Sequence, residues 1–187
     1  MKCTALVLIS LVFLSVSAVA QSNELAVTVG GYFPINSSSG ANEAFAVGGN
    51  FAHRIASVPL VSLYVEVPVI GTFKSVSDIP TSLGKPRYSA FFVTPGLKLK
   101  LAPSFPISPY VAAGGGFAHF SKSNVTTDDS TTSGTFDVGG GLDWKVAPFF
   151  SARAEVRDFY TGNPNVLPGF TEREHQLVIS VGLVFRF

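Results

Sequence analysis

The 187-residue chain contains a single cysteine, Cys3, so it can form no internal disulfide. Because Cys3 falls in an N-terminal segment expected to be removed, the remaining chain has no thiol either. Both a disulfide-stapled secreted module and a thiolate metal site are therefore excluded. Charge is also scarce, at 13% of residues, with 13 Lys and Arg against 12 Asp and Glu. Loss of Lys2 leaves 12 against 12, and a neutral chain lacks the basic surface that a nucleic-acid backbone demands. Beyond the N-terminal segment no uninterrupted apolar stretch is long enough for a transmembrane helix. The three histidines, His53, His119 and His175, have no partners at metal-ligand spacing, and no cofactor is expected.

The sequence is rich in apolar residues, with 17 Phe and a positive mean hydropathy of +0.38. Lys2, the apolar run Ala5 to Val16 and the small residues Ser17 to Ala20 read as a secretory signal peptide over residues 1–20. Cys3 precedes the apolar run and so is not placed as a lipoprotein cysteine. The expected mature protein is one domain, residues 21–187.

That domain alternates. Segments of apolar and polar residues in strict succession are expected as strands at Glu24–Phe33, Ala44–Ile55, Leu60–Ile70, Tyr88–Leu101, Ser108–Phe120, Gly134–Val146, Phe149–Tyr160 and Glu174–Phe187. The connections alternate as well. Long polar ones ("PINSSSGAN", "GTFKSVSDIPTSLGKPR", "SKSNVTTDDSTTS", "TGNPNVLPGFTER") are interleaved with short ones ("ASVP", "APSFPI", "AP"). The run Ser121–Ser133 reads as a mobile loop. Eight strands with long loops at one end and tight turns at the other predict an antiparallel, up-and-down transmembrane β-barrel with both termini on the short-turn, periplasmic side.

Parity separates bulk from charge. Val61, Leu63, Val65, Val67 and Val69 oppose Ser62, Tyr64 and Glu66, and Phe150, Ala152, Ala154 and Val156 oppose Arg153, Glu155 and Arg157. A soluble barrel would turn the apolar parity inward. Aromatics at the strand ends favour a bilayer instead: Tyr110, Trp144, Phe149, Phe150, Phe185 and Phe187 near the short turns, and Tyr32, Phe33, Phe117, Phe120, Phe159 and Tyr160 near the long loops, suggest two belts. The terminal "HQLVISVGLVFRF" then sends Leu177, Ile179, Val181, Leu183, Phe185 and Phe187 to lipid, and Gln176, Ser180, Gly182 and Arg186 to the lumen.

With "GLVFRF", "SPYVAAGGGFAHF" and "GGGLDWKVAPFFSARAEVRDF", the whole mature chain resembles the OmpA-like small outer-membrane β-barrel proteins. The resemblance implies residence in the bacterial outer membrane and recognition of the strand ending in Phe187 by the outer-membrane assembly machinery. No peptidoglycan-binding domain is expected after the barrel, so tethering to the cell wall is not carried over from the resemblance.

Inward parity carries seven cations and six anions: Glu24, Arg54, Glu66, Lys98, Lys100, Asp137, Asp143, Lys145, Arg153, Glu155, Arg157, Glu174 and Arg186. A network of Glu66, Lys98, Asp137, Asp143, Arg153, Glu155 and Arg157 is expected, with Asp143 pairing Arg153, Asp137 pairing Arg157 and Glu66 reaching Lys98. A narrow pore is the alternative, but no ring of single sign marks a constriction. The glycines Gly114–Gly116 and Gly139–Gly141 lie inside strands, where they make room for opposing side chains rather than cradle phosphate. His119 and Ser121 resemble the His-x-Ser pair of the outer-membrane lipid A deacylases. Asp128 and Asp129 fall in a loop and Asp137 points inward, so no acid is placed to orient the imidazole. The expected protein is a structural or surface-interaction barrel without catalysis, contacting lipopolysaccharide or an extracellular ligand through its loops. Lys74, Lys85 and Arg87 make the second long loop the most cationic.

Overall fold

The computed structural model describes residues 22–35, 43–76, 87–123, 128–161 and 174–187, and all the regular structure among them is β. The segments are β1 (Asn23–Ile35), β2 (Ala44–Val58), β3 (Val61–Val76), β4 (Arg87–Val93), β5 (Gly96–Leu101), β6 (Ile107–Ser123), β7 (Asp128–Lys145), β8 (Phe150–Thr161) and β9 (Glu174–Arg186). Each pairs antiparallel with its neighbours, and β1 pairs with both β2 and β9, so the sheet closes on itself. β4 and β5 are the upper and lower halves of one position in the wall, both running between β3 and β6, so the barrel has eight strands. Closure leaves no open edge where a backbone amide would face hydrocarbon. The chain ends take part: the Asn23 amide donates to the Phe187 carbonyl at 2.9 Å and the Phe187 amide donates back to Asn23 at 3.1 Å.

The expected single strand Tyr88–Leu101 is broken at Thr94-Pro95. Pro95 has no amide to give to the ladder, and Gly116 lets the displaced backbone approach, since a Cβ there would sit 1.9 Å from the Val93 carbonyl. A second departure lies at the long-loop end, where the strands run further than alternation of apolar residues shows. β3 continues through Lys74 to Val76 and β4 opens at Arg87, so the cationic loop is shorter than expected. The run expected as a mobile loop, Ser121–Ser133, is paired strand at 121–123 and 128–133. Thr is a good strand former and Ser is tolerated where the neighbouring strand pairs its backbone, but neither marks an apolar face, so hydropathy does not reveal them. At about 3.3 Å per residue and a tilt near 45°, the 18 residues of β7 rise roughly 40 Å along the barrel axis, well past the hydrocarbon.

Side chains sort by parity. The outward face carries Leu25, Val27, Val29, Val65, Val67, Leu97, Leu99, Val111, Val138, Leu142, Ile179, Val181 and Leu183, all exposed. At the short-turn end this aliphatic band meets Phe105, Trp144, Phe150, Phe185 and Phe187, and at the other Phe45, Phe73, Phe91, Phe117 and Phe136. Several aromatics expected in these belts instead point inward. Tyr110 is buried among the luminal charges, while Tyr32 and Phe159 are buried near the long-loop end around Phe92, with Phe120 packed against them. Nearness to a strand end was a weaker guide than parity, because Tyr32 shares its face with Glu24 and Thr28, and Phe159 shares its own with Arg153 and Arg157.

The turn between β5 and β6 holds one strained residue, Ala102, at φ 47°. Its amide donates to the Leu60 carbonyl at 2.7 Å, and its carbonyl accepts from the Phe105 amide and the Ser108 hydroxyl, so the conformation is held on three sides. Ala102→Gly is expected to relieve the left-handed strain and raise stability by roughly 0.5–1 kcal/mol, and Ala102→Val to lower it. Reversible urea unfolding in lipid vesicles measures both.

Candidate functional site in the barrel lumen

Eight strands enclose a lumen that side chains nearly fill. In its short-turn half the filling is ionic. Among the described residues five cations (Lys98, Lys100, Arg153, Arg157, Arg186) meet five anions (Glu24, Glu66, Asp137, Asp143, Glu155), and all ten are buried. Two hubs organise them. Glu24, at the start of β1, lies 2.9 Å from Lys98 and contacts Lys100, Arg153 and Arg186. Arg157, on β8, reaches Glu66 at 2.5 Å, Asp137 at 2.7 Å and Glu155 at 2.9 Å.

The hubs are joined. Lys98 lies 3.5 Å from Glu66 as well as beside Glu24. Asp143 takes a bidentate pair of hydrogen bonds from Arg153, at 2.8 and 3.0 Å, and also contacts Lys100 at 2.6 Å. Neutral groups complete the set: the Tyr110 hydroxyl donates to Glu155 at 2.5 Å and the Asn50 amide to Glu66 at 2.8 Å. Tyr110 lies under the Arg153 guanidinium, 4.7 Å from ring centroid to Cζ, and Tyr64 lies under both lysines. Glycines make the space. A Cβ on Gly139 would fall 2.6 Å from the Arg157 side chain, and one on Gly141 2.7 Å from the Tyr110 hydroxyl.

All seven residues expected in a luminal network are thus brought together, in contacts that include the three pairs named from parity. Sequence reasoning placed Glu24, Lys100 and Arg186 on the inward face without assigning them partners, and it missed Tyr110 and Asn50. Lys145, counted inward, is exposed at the rim, where the barrel no longer covers it. Arg54 is only half-buried, and the Glu174 side chain lies outside the described residues. The side chains of Lys74 and Arg87, and the whole of Lys85, also lie outside them.

Towards the long loops the filling becomes apolar. Phe92, fully buried, packs on Phe159 at 4.6 Å, on Phe120 edge-on at 5.9 Å and on Tyr32 at 6.3 Å, with Ile70, Val178 and four alanines around them. The lumen is therefore ionic below and oily above. On the outer wall, His119 Nδ1 lies 2.9 Å from the Thr132 hydroxyl and Nε2 3.5 Å from the Ser121 hydroxyl. The imidazole is held by a neutral hydroxyl, and Asp137 is bound to Arg157 on the opposite face of the wall.

Removing one partner from a buried network strands the others. Arg157→Met leaves three carboxylates without their common cation and is expected to destabilise the barrel by about 3–5 kcal/mol. Lys145→Met, at the exposed rim, is expected to change stability by less than about 0.5 kcal/mol. Urea unfolding of the two variants in vesicles compares them.

Alternating faces, belted apolar exterior and filled interior together define a small transmembrane β-barrel. The chain belongs to the family described as outer membrane protein beta-barrel domain, whose model matches residues 6–187. It is therefore a protein of the bacterial outer membrane. Neisserial surface protein A is similar in structure, with a TM-score of 0.70 at 18% identity over 90% of this chain and 98% of that one. Ail of Yersinia pestis gives a TM-score of 0.57 at 12% identity, over 89% and 99% of the two chains. The N-terminal barrel of Pseudomonas aeruginosa OprF gives 0.51 at 16% identity, over 89% and 98%. No curated protein matches the chain.

Proposed function

We propose that the protein is a non-catalytic barrel whose interior is a structural plug and whose working surface is its long-loop end. The observation that carries this reading is the balance of the luminal network, five buried cations against five buried anions with every member in contact with its opposite. A conducting path needs a continuous wet route or a ring of one sign to select its ion. The mutual pairing and the aromatic layer over it favour neither.

In this reading the termini face the periplasm, residues 1–20 direct export and are removed, and the strand ending in Phe187 presents the barrel to the assembly machinery. The long strands β6 and β7 lift the outer end clear of the bilayer, the place where binding determinants sit on a rigid scaffold. Ail has been crystallised with the heparin analogue sucrose octasulfate. For the present chain an anionic ligand, such as lipopolysaccharide phosphate, is proposed to contact the cationic stretch holding Lys74, Lys85 and Arg87. The hydroxyl rather than carboxylate partner of His119 argues against the deacylase reading, since a neutral group does little to stabilise an imidazolium.

Single-channel recording of protein purified from outer membranes tests the plug. The bilayer is expected to stay silent after insertion, and discrete, reproducible openings would instead support the narrow pore.

A further inference from the structure

The outward face of β4, β6 and β7 changes chemistry in three rungs at the upper aromatic belt. Register places Val93, Phe117 and Gly134 across the first rung, Phe91, His119 and Thr132 across the second, and Ser89, Ser121 and Ser130 across the third. These residues share the outward parity of the lipid-facing wall, and Phe91 and Phe117 are 42% and 45% exposed. Ser89, Ser130 and Thr132 are exposed too. His119 ties the rungs together through Thr132 at 2.9 Å and Ser121 at 3.5 Å.

Aromatic surface beside hydroxyl and imidazole groups is the chemistry that holds a sugar. The rings offer apolar area to its C–H face, and the polar groups serve as donors and acceptors for its hydroxyls. With strands about 4.8 Å apart and rungs about 6.7 Å apart, the patch measures roughly 10 Å by 13 Å, the size of a disaccharide. No Lys or Arg belongs to the three rungs, so a phosphate is not what the patch selects. The patch faces sideways, contiguous with the lipid-facing wall, rather than along the barrel axis. Its partner therefore lies in the plane of the membrane.

We propose that the outward face of β4, β6 and β7 is a docking surface for the sugar headgroup of a glycolipid in the leaflet at the long-loop end. The proposal rests on that end being the outer one. Thiol labelling of Ser130→Cys in intact cells settles this orientation separately, because binding by purified protein does not depend on it.

The test uses protein purified from outer membranes, with lipid A as probe and phosphatidylglycerol as competitor, and reads bound lipid by native mass spectrometry. Wild type is expected to retain one lipid A. The variant Ser89→Ala/His119→Ala/Ser121→Ala/Thr132→Val, with its fold checked by heat-modifiable migration, is expected to retain about tenfold less. Should it not fold, Thr132→Val alone, which keeps side-chain shape, must show a several-fold loss. Retention equal to wild type overturns the proposal. Competition by the deacylated disaccharide as strong as by intact lipid A overturns the membrane-resident source. Bound lipid A that has lost an acyl chain in wild type but not in Ser121→Ala overturns docking in favour of hydrolysis. Reversing the charge of Lys74, Lys85 and Arg87 tests the loop contact independently, since none of the three belongs to the patch.

Discussion

Buried charge tolerates no surplus. An ion taken from water into a lumen of fixed width must find its opposite there, and here ten side chains from six strand segments do so at once. Because the members sit on β1, β3, β5, β7, β8 and β9, the network is also a register device. A slip of one residue in any of these strands would turn its charges to the hydrocarbon and its aliphatic residues to the ions. The outward face contributes little specificity of its own, since one Leu or Val exposed to lipid serves as well as another. Identity is set mainly from inside.

Much of this was legible in the amino-acid sequence because a barrel repeats the simplest of patterns. Arg153, Glu155 and Arg157 alternate with Ala154 and Val156, and that alone assigns two faces. Opposition across the tight turn at 146–149 then pairs Asp143 with Arg153. The reach of Arg157 to three carboxylates and of Glu24 to four cations was not legible in the same way, because contacts such as Arg157 with Glu66 join β8 to β3 through space and leave no local signal. The aromatic layer was misplaced for a related reason. Phe92, Tyr32 and Phe159 meet only when the ring closes, and along the chain they look like interfacial residues near strand ends. The polar extensions of β6 and β7 were hidden because Ser and Thr satisfy a strand without marking it.

The two halves of the lumen divide the work. The ionic half lies where the barrel walls are lined outside by the aliphatic band, and the aromatic half lies nearer the loops, under the strands that project beyond the bilayer. A soluble-like core at that level holds the projecting sheet rigid, so that the outward rungs of β4, β6 and β7 keep a fixed spacing. Binding chemistry on the outside and packing on the inside thus share the same strands, with parity keeping them apart.

The most direct test of the network is the solvent exchange of arginine Nε protons in the folded barrel, followed by NMR. Arg153 Nε donates to Asp143 at 2.8 Å and Arg157 Nε donates to Glu155 at 2.9 Å. Both protons are expected to exchange orders of magnitude more slowly than in an unstructured peptide, and to resonate apart from the free position. Exchange at the free rate from a barrel shown to be folded would mean that water reaches the guanidinium groups, and the ion-paired plug would have to be abandoned.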